Sequence, residues 1–253
     1  MSLGLIERFL GLPGPSRSAF RAAHGPDWGP GRLLSTCNPN LRTSEQQEPG
    51  VDEKQIARFN EAQRRAFDDL HDRFLVTLRE DVLDRMERIV AAASIRSGET
   101  VLDVGAGTGA LIPLIQRYRP DRVIACDLSG KMLEQLARRF PDVTCHQCDV
   151  RDLAFPDASL DVAFMNGMFG NIVDKVGALT NLARMLRPRS RVVISHPEGR
   201  AFVDQIIREE PFPITPLPSE GEARELLEPF GLAVQQYTDE ENLLIVVAIK
   251  DGT

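Results

Sequence analysis

One stretch of the sequence decides the fold: Val101-Leu102-Asp103-Val104-Gly105-Ala106-Gly107-Thr108-Gly109. It starts with the apolar residues typical of a buried strand and runs into three glycines, each separated from the next by one residue. Glycine allows the tight turn that must follow such a strand, and it lets a ligand approach the backbone because no Cβ is in the way. The stretch therefore predicts a strand, a ligand-binding turn and the start of a helix.

The glycine spacing alone fits two classes of ligand. With Ala110 it matches the loose Gly-x-Gly-x-x-Gly/Ala pattern of dinucleotide-binding turns, which hold a pyrophosphate. Asp103, however, lies two residues before the first glycine, where a carboxylate suits a ligand that carries an ammonium group. Asp127 and Asp149 end the next two predicted strands, where they can accept hydrogen bonds from ribose hydroxyls and from an adenine amino group. Ligands of open α/β sheets bind at the carboxyl ends of the strands, where these acids lie. Asp127 suits either cofactor, whereas Asp103 and Asp149 favour S-adenosylmethionine over a dinucleotide.

Strands and helices alternate downstream of this turn. Apolar patterning predicts strands at 100–104, 122–126, 143–147, 160–165 and 191–195, and helices at 109–118, 129–140 and 174–186. The strands are continuous apolar runs, which indicates a parallel sheet covered on both faces. A helix at 220–228 and a hairpin of 232–237 with 242–249 complete the pattern. The predicted fold class is α/β, a Rossmann-like seven-stranded sheet that is mostly parallel, with a C-terminal antiparallel hairpin and helices on both faces.

Two segments precede this domain of residues 97–253. Residues 51–96 predict an N-terminal helical cap of two helices, with Thr77 and Glu80 as a capping box for the second. We expect the cap to pack against the sheet or over its ligand edge. Residues 1–50 contain five Arg and no Lys, with repeated Gly, Pro and Ser, and fit either a disordered tail or an organelle transit peptide.

Composition limits the classes of partner. The formal net charge of -7 argues against a nucleic-acid-binding surface, because phosphate contacts usually need a basic face. No apolar run approaches the roughly 18 residues of a membrane-spanning helix. These features predict an intracellular soluble protein, cytoplasmic unless the first 50 residues direct it to a mitochondrion or plastid. Cys145-His146-x-Cys148 invites a metal site, but neighbouring residues of a strand face opposite ways, so we expect no metal and take the cysteines as small buried residues.

Taken together, these motifs resemble the class I S-adenosylmethionine-dependent methyltransferases, particularly the broad group that includes ubiquinone and menaquinone C-methyltransferases. The resemblance runs from about residue 98 to residue 197. It rests on Val101 to Gly109, Ala125 to Ser129, Cys148 to Leu153 with Phe155-Pro156, Ser159 to Phe164, and Leu182 to Arg191. The family usually has Pro-Gly-Gly where this chain has Pro188-Arg189-Ser190, and we expect this departure to be tolerated because the turn lies away from the cofactor.

The resemblance implies a set of cofactor-binding residues and a reaction. The predicted S-adenosylmethionine site consists of Asp103, Gly105, Ala106, Gly107, Gly109, Asp127, Leu128, Met132, Asp149, Val150 and Asn166. The predicted reaction is direct in-line methyl transfer to a small or mid-sized organic acceptor. Two alternatives stay open: a methyltransferase-fold protein that acts as a non-catalytic assembly or regulatory partner, and a nucleotide-dependent oxidoreductase that uses the same glycine turn.

The acceptor side rests on two candidate catalytic residues. Asn166 follows the fourth strand of the domain and either orients an acceptor or satisfies the backbone at the strand end. His196 follows the fifth strand and is a candidate general base, since histidine titrates in the useful range, although Ser195-His196-Pro197 also suits a polar turn. The Asn/Asp-Pro-Pro-aromatic signature of amine methylation is absent. The sequence leaves the acceptor, the methylated atom and the oligomeric state open.

Overall fold

The computed structural model describes residues 52–75, 78–209 and 214–252, together with the backbone of residues 33–34. The predicted tail or transit peptide, residues 1–50, thus lies outside the described residues except for that dipeptide. The helices are α1 (Glu53–Leu70), α2 (Glu80–Ala92), α3 (Ile112–Gln116), α4 (Gly130–Arg139), α5 (Lys175–Met185), α6 (Gly199–Glu209) and α7 (Glu220–Leu227). The strands are β1 (Leu33–Leu34), β2 (Thr100–Val104), β3 (Arg122–Asp127), β4 (Thr144–Gln147), β5 (Leu160–Asn166), β6 (Leu186–His196), β7 (Leu232–Glu240) and β8 (Leu243–Lys250).

The strands form one sheet in the order β1-β4-β3-β2-β5-β6-β8-β7. Each neighbouring pair from β1 to β6 is parallel, whereas β8 is antiparallel to both β6 and β7. The predicted seven-stranded, mostly parallel sheet with antiparallel C-terminal strands is confirmed, and the dipeptide β1 adds a short strand beside β4. The order reverses between β2 and β5, so the carboxyl ends of these strands flank a crevice suited to a ligand.

Two apolar cores hold the sheet, one on each face. Alternate residues of a strand point to opposite faces, so Val101 of β2 joins one core and Leu102 the other. The first core contains Ile89 of α2 and Leu136 of α4, and the second contains Leu182 of α5. Each fully buried side chain of this size contributes about 1.5–3 kcal/mol, so both helical layers are fixed to the sheet.

Local capping explains where most helices begin. The Ser129 hydroxyl accepts from the Met132 amide at the start of α4, as the sequence predicts. The predicted capping box of α2 is wrong: that helix begins at Glu80 behind Arg79, so Glu80 is its first residue rather than its third, and Thr77 lies outside the described residues. The predicted helix at 109–118 is also shorter, with five residues in α3, because Gly109 still belongs to the turn with a φ of 84°.

Helix α6 was not predicted. Gly199, Val203 and Ile206 are its buried residues, and Val203 and Ile206 have the spacing of one helix face. Pro197 before the helix and the prolines after residue 210 nevertheless suggest a loop. In the structure α6 follows the end of β6 and packs against β6, β7 and β8.

Strand β6 starts five residues earlier than predicted and contains an unusual backbone. Arg189 has a φ of 64°, in the left-handed region that favours glycine, at the middle position of the Pro188-Arg189-Ser190 departure from Pro-Gly-Gly. The structure accommodates Arg189 in place of the usual glycine, but the backbone of this residue adopts a left-handed conformation that costs an L-residue about 1–2 kcal/mol.

We expect Arg189→Gly to stabilise the protein by about 0.5–1 kcal/mol, because the relief of the left-handed backbone exceeds the extra entropy of glycine in the unfolded chain. The measurement is the free energy of unfolding in urea. Arg189→Ala is the matched control, since it removes the side chain but keeps the Cβ. Equal stabilisation by Ala would show that the backbone of Arg189 is not the cause.

Candidate functional site

A cavity of about 460 Å³ lies at the carboxyl ends of β2, β3, β4 and β5. On the sheet side it is lined by the glycine turn, by the ends of the three following strands and by the start of α4. On the opposite side it is lined by α1, the short helical segment His71–Leu75 and α2. Every predicted cofactor residue except Gly109 lines this cavity. The helical cap therefore lies over the ligand edge of the sheet.

Asp103 is the most unusual group of the cavity. Its side chain is 2% exposed, and none of the hydrogen bonds found within the described part of the chain reaches its carboxylate. Burial, and secondarily the charge of Asp127, raises the pKa of Asp103 to about 8. A buried carboxylate without a donor is costly when ionised, and a cationic group placed beside it would remove that cost. Asp103 thus favours a ligand with a positive charge.

The glycine turn is held against β3 and leaves room for a ligand. The backbone amides of Gly105 and Ala106 both donate to the carbonyl of Cys126, at 2.8 and 3.2 Å. A Cβ on Gly105 would lie 2.6 Å from the Cγ of Met168, so this glycine is required for close packing. Gly107 has a φ of 54° and no atom within 4 Å of its missing Cβ, although it lines the cavity. This position is open for a ligand.

Gly109 serves packing rather than the cavity, which corrects its predicted role. Its missing Cβ would lie 3.0 Å from side-chain atoms of Leu136 and Phe140, neither of which lines the cavity. A side chain at this position would push the turn away from α4, so Gly109 supports the site only indirectly.

Asp127 is oriented by backbone amides at the end of β3. Its Oδ2 accepts from Gly107 N at 2.9 Å, and its Oδ1 accepts from Ser129 N at 2.8 Å. Burial raises the pKa of Asp127, and these two hydrogen bonds act against that rise. Because each oxygen has two lone pairs, the carboxylate can still accept a pair of ligand hydroxyls.

Asp149 is more fully engaged than the sequence suggests. Its Oδ2 accepts from Asn60 Nδ2 at 2.6 Å and from Arg151 Nε at 2.8 Å, and its Oδ1 accepts from Arg151 N at 2.9 Å. Arg151 also donates to Asp174, which caps α5. A carboxylate offers about four acceptor positions, so about one remains for a ligand.

Of the two candidate catalytic residues, Asn166 and His196, the structure places only Asn166 at the cavity. Asn166 lines the cavity, and its Oδ1 accepts from the Ser195 hydroxyl at 2.9 Å. His196 does not line the cavity: it is 4% exposed, its Nδ1 accepts from Glu198 N at 3.2 Å, and its ring packs against Phe202 of α6. Burial lowers the pKa of His196 to about 3. We therefore correct its predicted position in the site and do not retain it as a general base.

Sequence reasoning missed the residues that the helical cap supplies. The residues of α1, of the segment 71–75 and of α2 with its approach that line the cavity are Asn60, Gln63, Phe67, Phe74, Leu75, Leu78, Leu83 and Met86. Ile56, Asn60, Gln63 and Phe67 recur at the spacing of one helix face, which could have marked the side of α1 that packs inward.

Three further findings concern metal binding, the cysteines and membrane-spanning helices. Within the described ranges, no group of three or more His, Cys, Asp or Glu side chains is arranged to hold a metal ion. Cys126 and Cys145 are free and buried, as expected of small apolar residues, and Cys148 packs against the apolar core. None of the helices that the structure describes is long and apolar enough to span a membrane.

Comparison with known proteins agrees with this geometry. A family model described as a methyltransferase domain matches residues 102–194. The chain is 30% identical over 182 residues to the O-methyltransferase rstn1 of Aspergillus nomiae, covering 64% of this chain and 78% of that protein. It is 40% identical over 121 residues to a demethylmenaquinone methyltransferase of Tropheryma whipplei, covering 45% of this chain and 48% of that protein. With several other curated relatives, the chain spans about half to two thirds of their length.

Among solved structures, a SAM-dependent methyltransferase of Aquifex aeolicus superposes with a TM-score of 0.59 at 21% identity. The match covers 72% of this chain and 97% of that one. At this identity the likeness concerns the fold.

Proposed function

This chain belongs to the class I S-adenosylmethionine-dependent methyltransferases, and we propose that it transfers the methyl group of S-adenosylmethionine to a small or mid-sized organic acceptor. The observation that carries the proposal is Asp103, a buried carboxylate that lines the cavity and receives no hydrogen bond from the described residues. The ammonium group of the methyl donor is a suitable partner for it, and the pyrophosphate of a dinucleotide is not.

The remaining cavity residues fit the same ligand. Gly107 leaves open the space that a side chain would fill, next to Asp127 at the end of β3. In this proposal Asp103 binds the ammonium group, Asp127 the ribose hydroxyls, and Asp149 with Val150 the adenine. Leu128 and Met132 provide apolar contacts at the start of α4, and Ala106 lies at the turn.

The contribution of the chain to the reaction is positioning and exclusion of water. S-adenosylmethionine, when bound, supplies a methyl group that is already activated by the positive sulfonium. The helical cap is held to the domain through Asn60 and Gln63 and covers one side of the cavity, so that in this proposal it limits the contact of the bound reactants with bulk water. No His, Lys, Glu or Tyr is found among the described residues of the lining, so the proposed in-line transfer uses an acceptor that needs no strong base from this part of the chain.

Calorimetric titration with S-adenosylmethionine and, separately, with NADH tests the proposal. We expect saturable binding of the methyl donor alone. Asp127→Asn should weaken it about 10- to 100-fold, because a charged hydrogen-bond acceptor contributes about 1.5–3 kcal/mol. Asp142→Asn, an exposed acid on the loop before β4, is the matched control and should change nothing.

The other outcomes of the titration identify the rival functions. Binding of NADH instead would overturn the proposal in favour of an oxidoreductase. Binding of neither ligand by a folded protein would favour a non-catalytic partner. The folded state of each variant is checked by its thermal unfolding curve.

A further inference from the structure

The side of the cavity that faces the sheet differs chemically from the side formed by the helical cap. The apolar wall consists of Phe67, Phe74, Leu75, Leu78, Leu83 and Met86. These residues come from α1, the segment 71–75, and α2 with the residues before it, whereas the acids come from the strand ends. The cap therefore contributes mainly apolar surface to the cavity, whereas the carboxylates of the lining lie at the strand ends.

Charge on the lining restricts what can lie against this wall. Asp127 lines the cavity and forms no ion pair with a described residue, so its carboxylate disfavours an anionic acceptor. Arg139 is the cationic residue in the described lining, but its Nη1 donates to Thr108 O and its guanidinium lies over the Phe140 ring. The apolar wall offers no charged partner, and burying an unpaired charge against it would cost several kcal/mol. The wall thus favours an uncharged acceptor.

Gln63 is the polar exception beside the wall. Its side chain is 3% exposed and lines the cavity, on the same face of α1 as Phe67. Its Nε2 donates to the carbonyl of Asn171 at 2.7 Å, which fixes the orientation of the amide. Its Oε1 receives no hydrogen bond from any residue that the structure describes. Since this oxygen keeps some access to solvent and Gln63 lines the cavity, it can accept a hydrogen bond from a hydroxyl group of a bound ligand.

The mouth of the cavity is apolar as well. Leu75 and Leu83 are 39% and 36% exposed, and they are the exposed large apolar side chains of the described residues. Both line the cavity. Exposed apolar side chains at the edge of a cavity are typical of a binding site for an apolar ligand.

We infer that the methyl acceptor is an uncharged, mainly apolar molecule that carries a hydroxyl group, and that Gln63 determines specificity by accepting a hydrogen bond from that hydroxyl. The inference rests on the proposed function, because it assigns the acceptor of the same cavity. In this arrangement Phe67 and Met86 contact the apolar body of the acceptor. Leu75 and Leu83 contact the part of the acceptor that lies at the mouth of the cavity.

Four probes with one ring system test the inference: naphthalene, 2-naphthol, 2-naphthoate and 2-naphthylmethylammonium. Their dissociation constants are measured by calorimetry on the full chain saturated with S-adenosylhomocysteine. We expect 2-naphthol to bind at least about 10-fold more tightly than either charged probe, and several-fold more tightly than naphthalene, since one neutral hydrogen bond corresponds to about 2- to 10-fold.

Two variants separate recognition from folding. Gln63→Leu should abolish the difference between 2-naphthol and naphthalene. Because Gln63 also helps to hold the cap to the domain, the two dissociation constants are compared with each other within the variant, at saturating S-adenosylhomocysteine. Leu83→Lys should weaken both probes at least about 10-fold, because it places a charge at the apolar mouth. Asp84→Lys, next to it on α2 and exposed but outside the lining, is the matched control and should leave both affinities unchanged.

Failure of the inference is distinguishable from failure of the proposed function. Tighter binding of a charged probe, or an undiminished preference for 2-naphthol in Gln63→Leu, would overturn the inference alone. The same holds if the protein binds S-adenosylhomocysteine but none of the four probes. If the folded protein does not bind S-adenosylhomocysteine, both the proposed function and the inference are overturned.

Discussion

Replacement of Asp103 by Asn should weaken binding of S-adenosylmethionine by about 100-fold or more. The carboxylate is buried at the end of β2, and no hydrogen bond from the described residues reaches it, so a bound ammonium group would be its main partner. Removing one partner of a buried charge pair leaves the other charge unpaired, at a cost of about 3–5 kcal/mol. Calorimetric titration of the purified variant measures the loss.

The same residue predicts a release of protons on binding. The pKa of Asp103 is about 8 in the folded protein, against an ordinary value of 3.8, because the carboxyl is buried near the charge of Asp127. It is therefore protonated at neutral pH before the ligand binds and must ionise to pair with an ammonium group. We expect release of about one proton per bound ligand at neutral pH, and none from this position in Asp103→Asn. Titrations in buffers of different ionisation enthalpy measure the number.

The raised pKa of Asp103 also makes the stability of the unliganded protein depend on pH. The contribution of Asp103 to stability is fully present below its unfolded pKa and is lost as the pH rises through about 8. The unliganded protein should thus lose stability as the pH rises from about 4 to about 8, and Asp103→Asn should lose less over the same range. Asp84→Asn is the control for an exposed acid. Unchanged ligand affinity in Asp103→Asn, or stability curves with identical pH dependence, would contradict the role given to Asp103.

Replacement of Arg151 by Met should destabilise the protein by about 3–5 kcal/mol. The side chain of Arg151 is 5% exposed and lies between Asp149 and Asp174, whose side chains are 15% and 11% exposed. Methionine has a similar length but no charge, so both carboxylates would stay largely buried without their cationic partner. Asp174 also accepts from Gly177 N at the start of α5, which extends the damage to that helix. Urea unfolding gives the free energy.

Arg65→Met is the matched control for this variant. Arg65 is 72% exposed and pairs with Glu61 one helical turn away, an arrangement that contributes less than about 1 kcal/mol. A loss for Arg151→Met no greater than that of the control would show that the Arg151 cluster is not the buried network described above. Since Arg151 also orients Asp149, affinity for the methyl donor should fall in the variant.

The parts of the site that belong to strand ends could be predicted from the sequence. Asp103, Asp127 and Asp149 each follow an apolar run, and parallel strands bring their carboxyl ends to one edge whatever the details of packing. Ser129 could be assigned as a helix cap because it directly precedes an amphipathic stretch. In these cases a local pattern and the topology determine the position together.

The parts that depend on packing between distant segments could not be predicted. The apolar face of α1 is visible in the sequence, but not the fact that Asn60 meets Asp149, 89 residues away. His196 was misplaced for a related reason. Both faces of β6 are buried, so alternation along the strand does not reveal which face is nearer to the cavity. His196 has the parity of Val192 and Ile194, which belong to the core opposite to that of Val101.

The position of β8 has a consequence for synthesis of the chain. It follows β7 in the sequence but lies between β6 and β7 in the sheet. Until residues 243–250 have left the ribosome, β6 has an open edge and β7 has no strand with which to pair. During translation the nascent chain therefore exposes an apolar strand edge, the kind of surface that promotes aggregation and recruits chaperones. Closure of this half of the sheet therefore waits until residues 243–250 are available to pair.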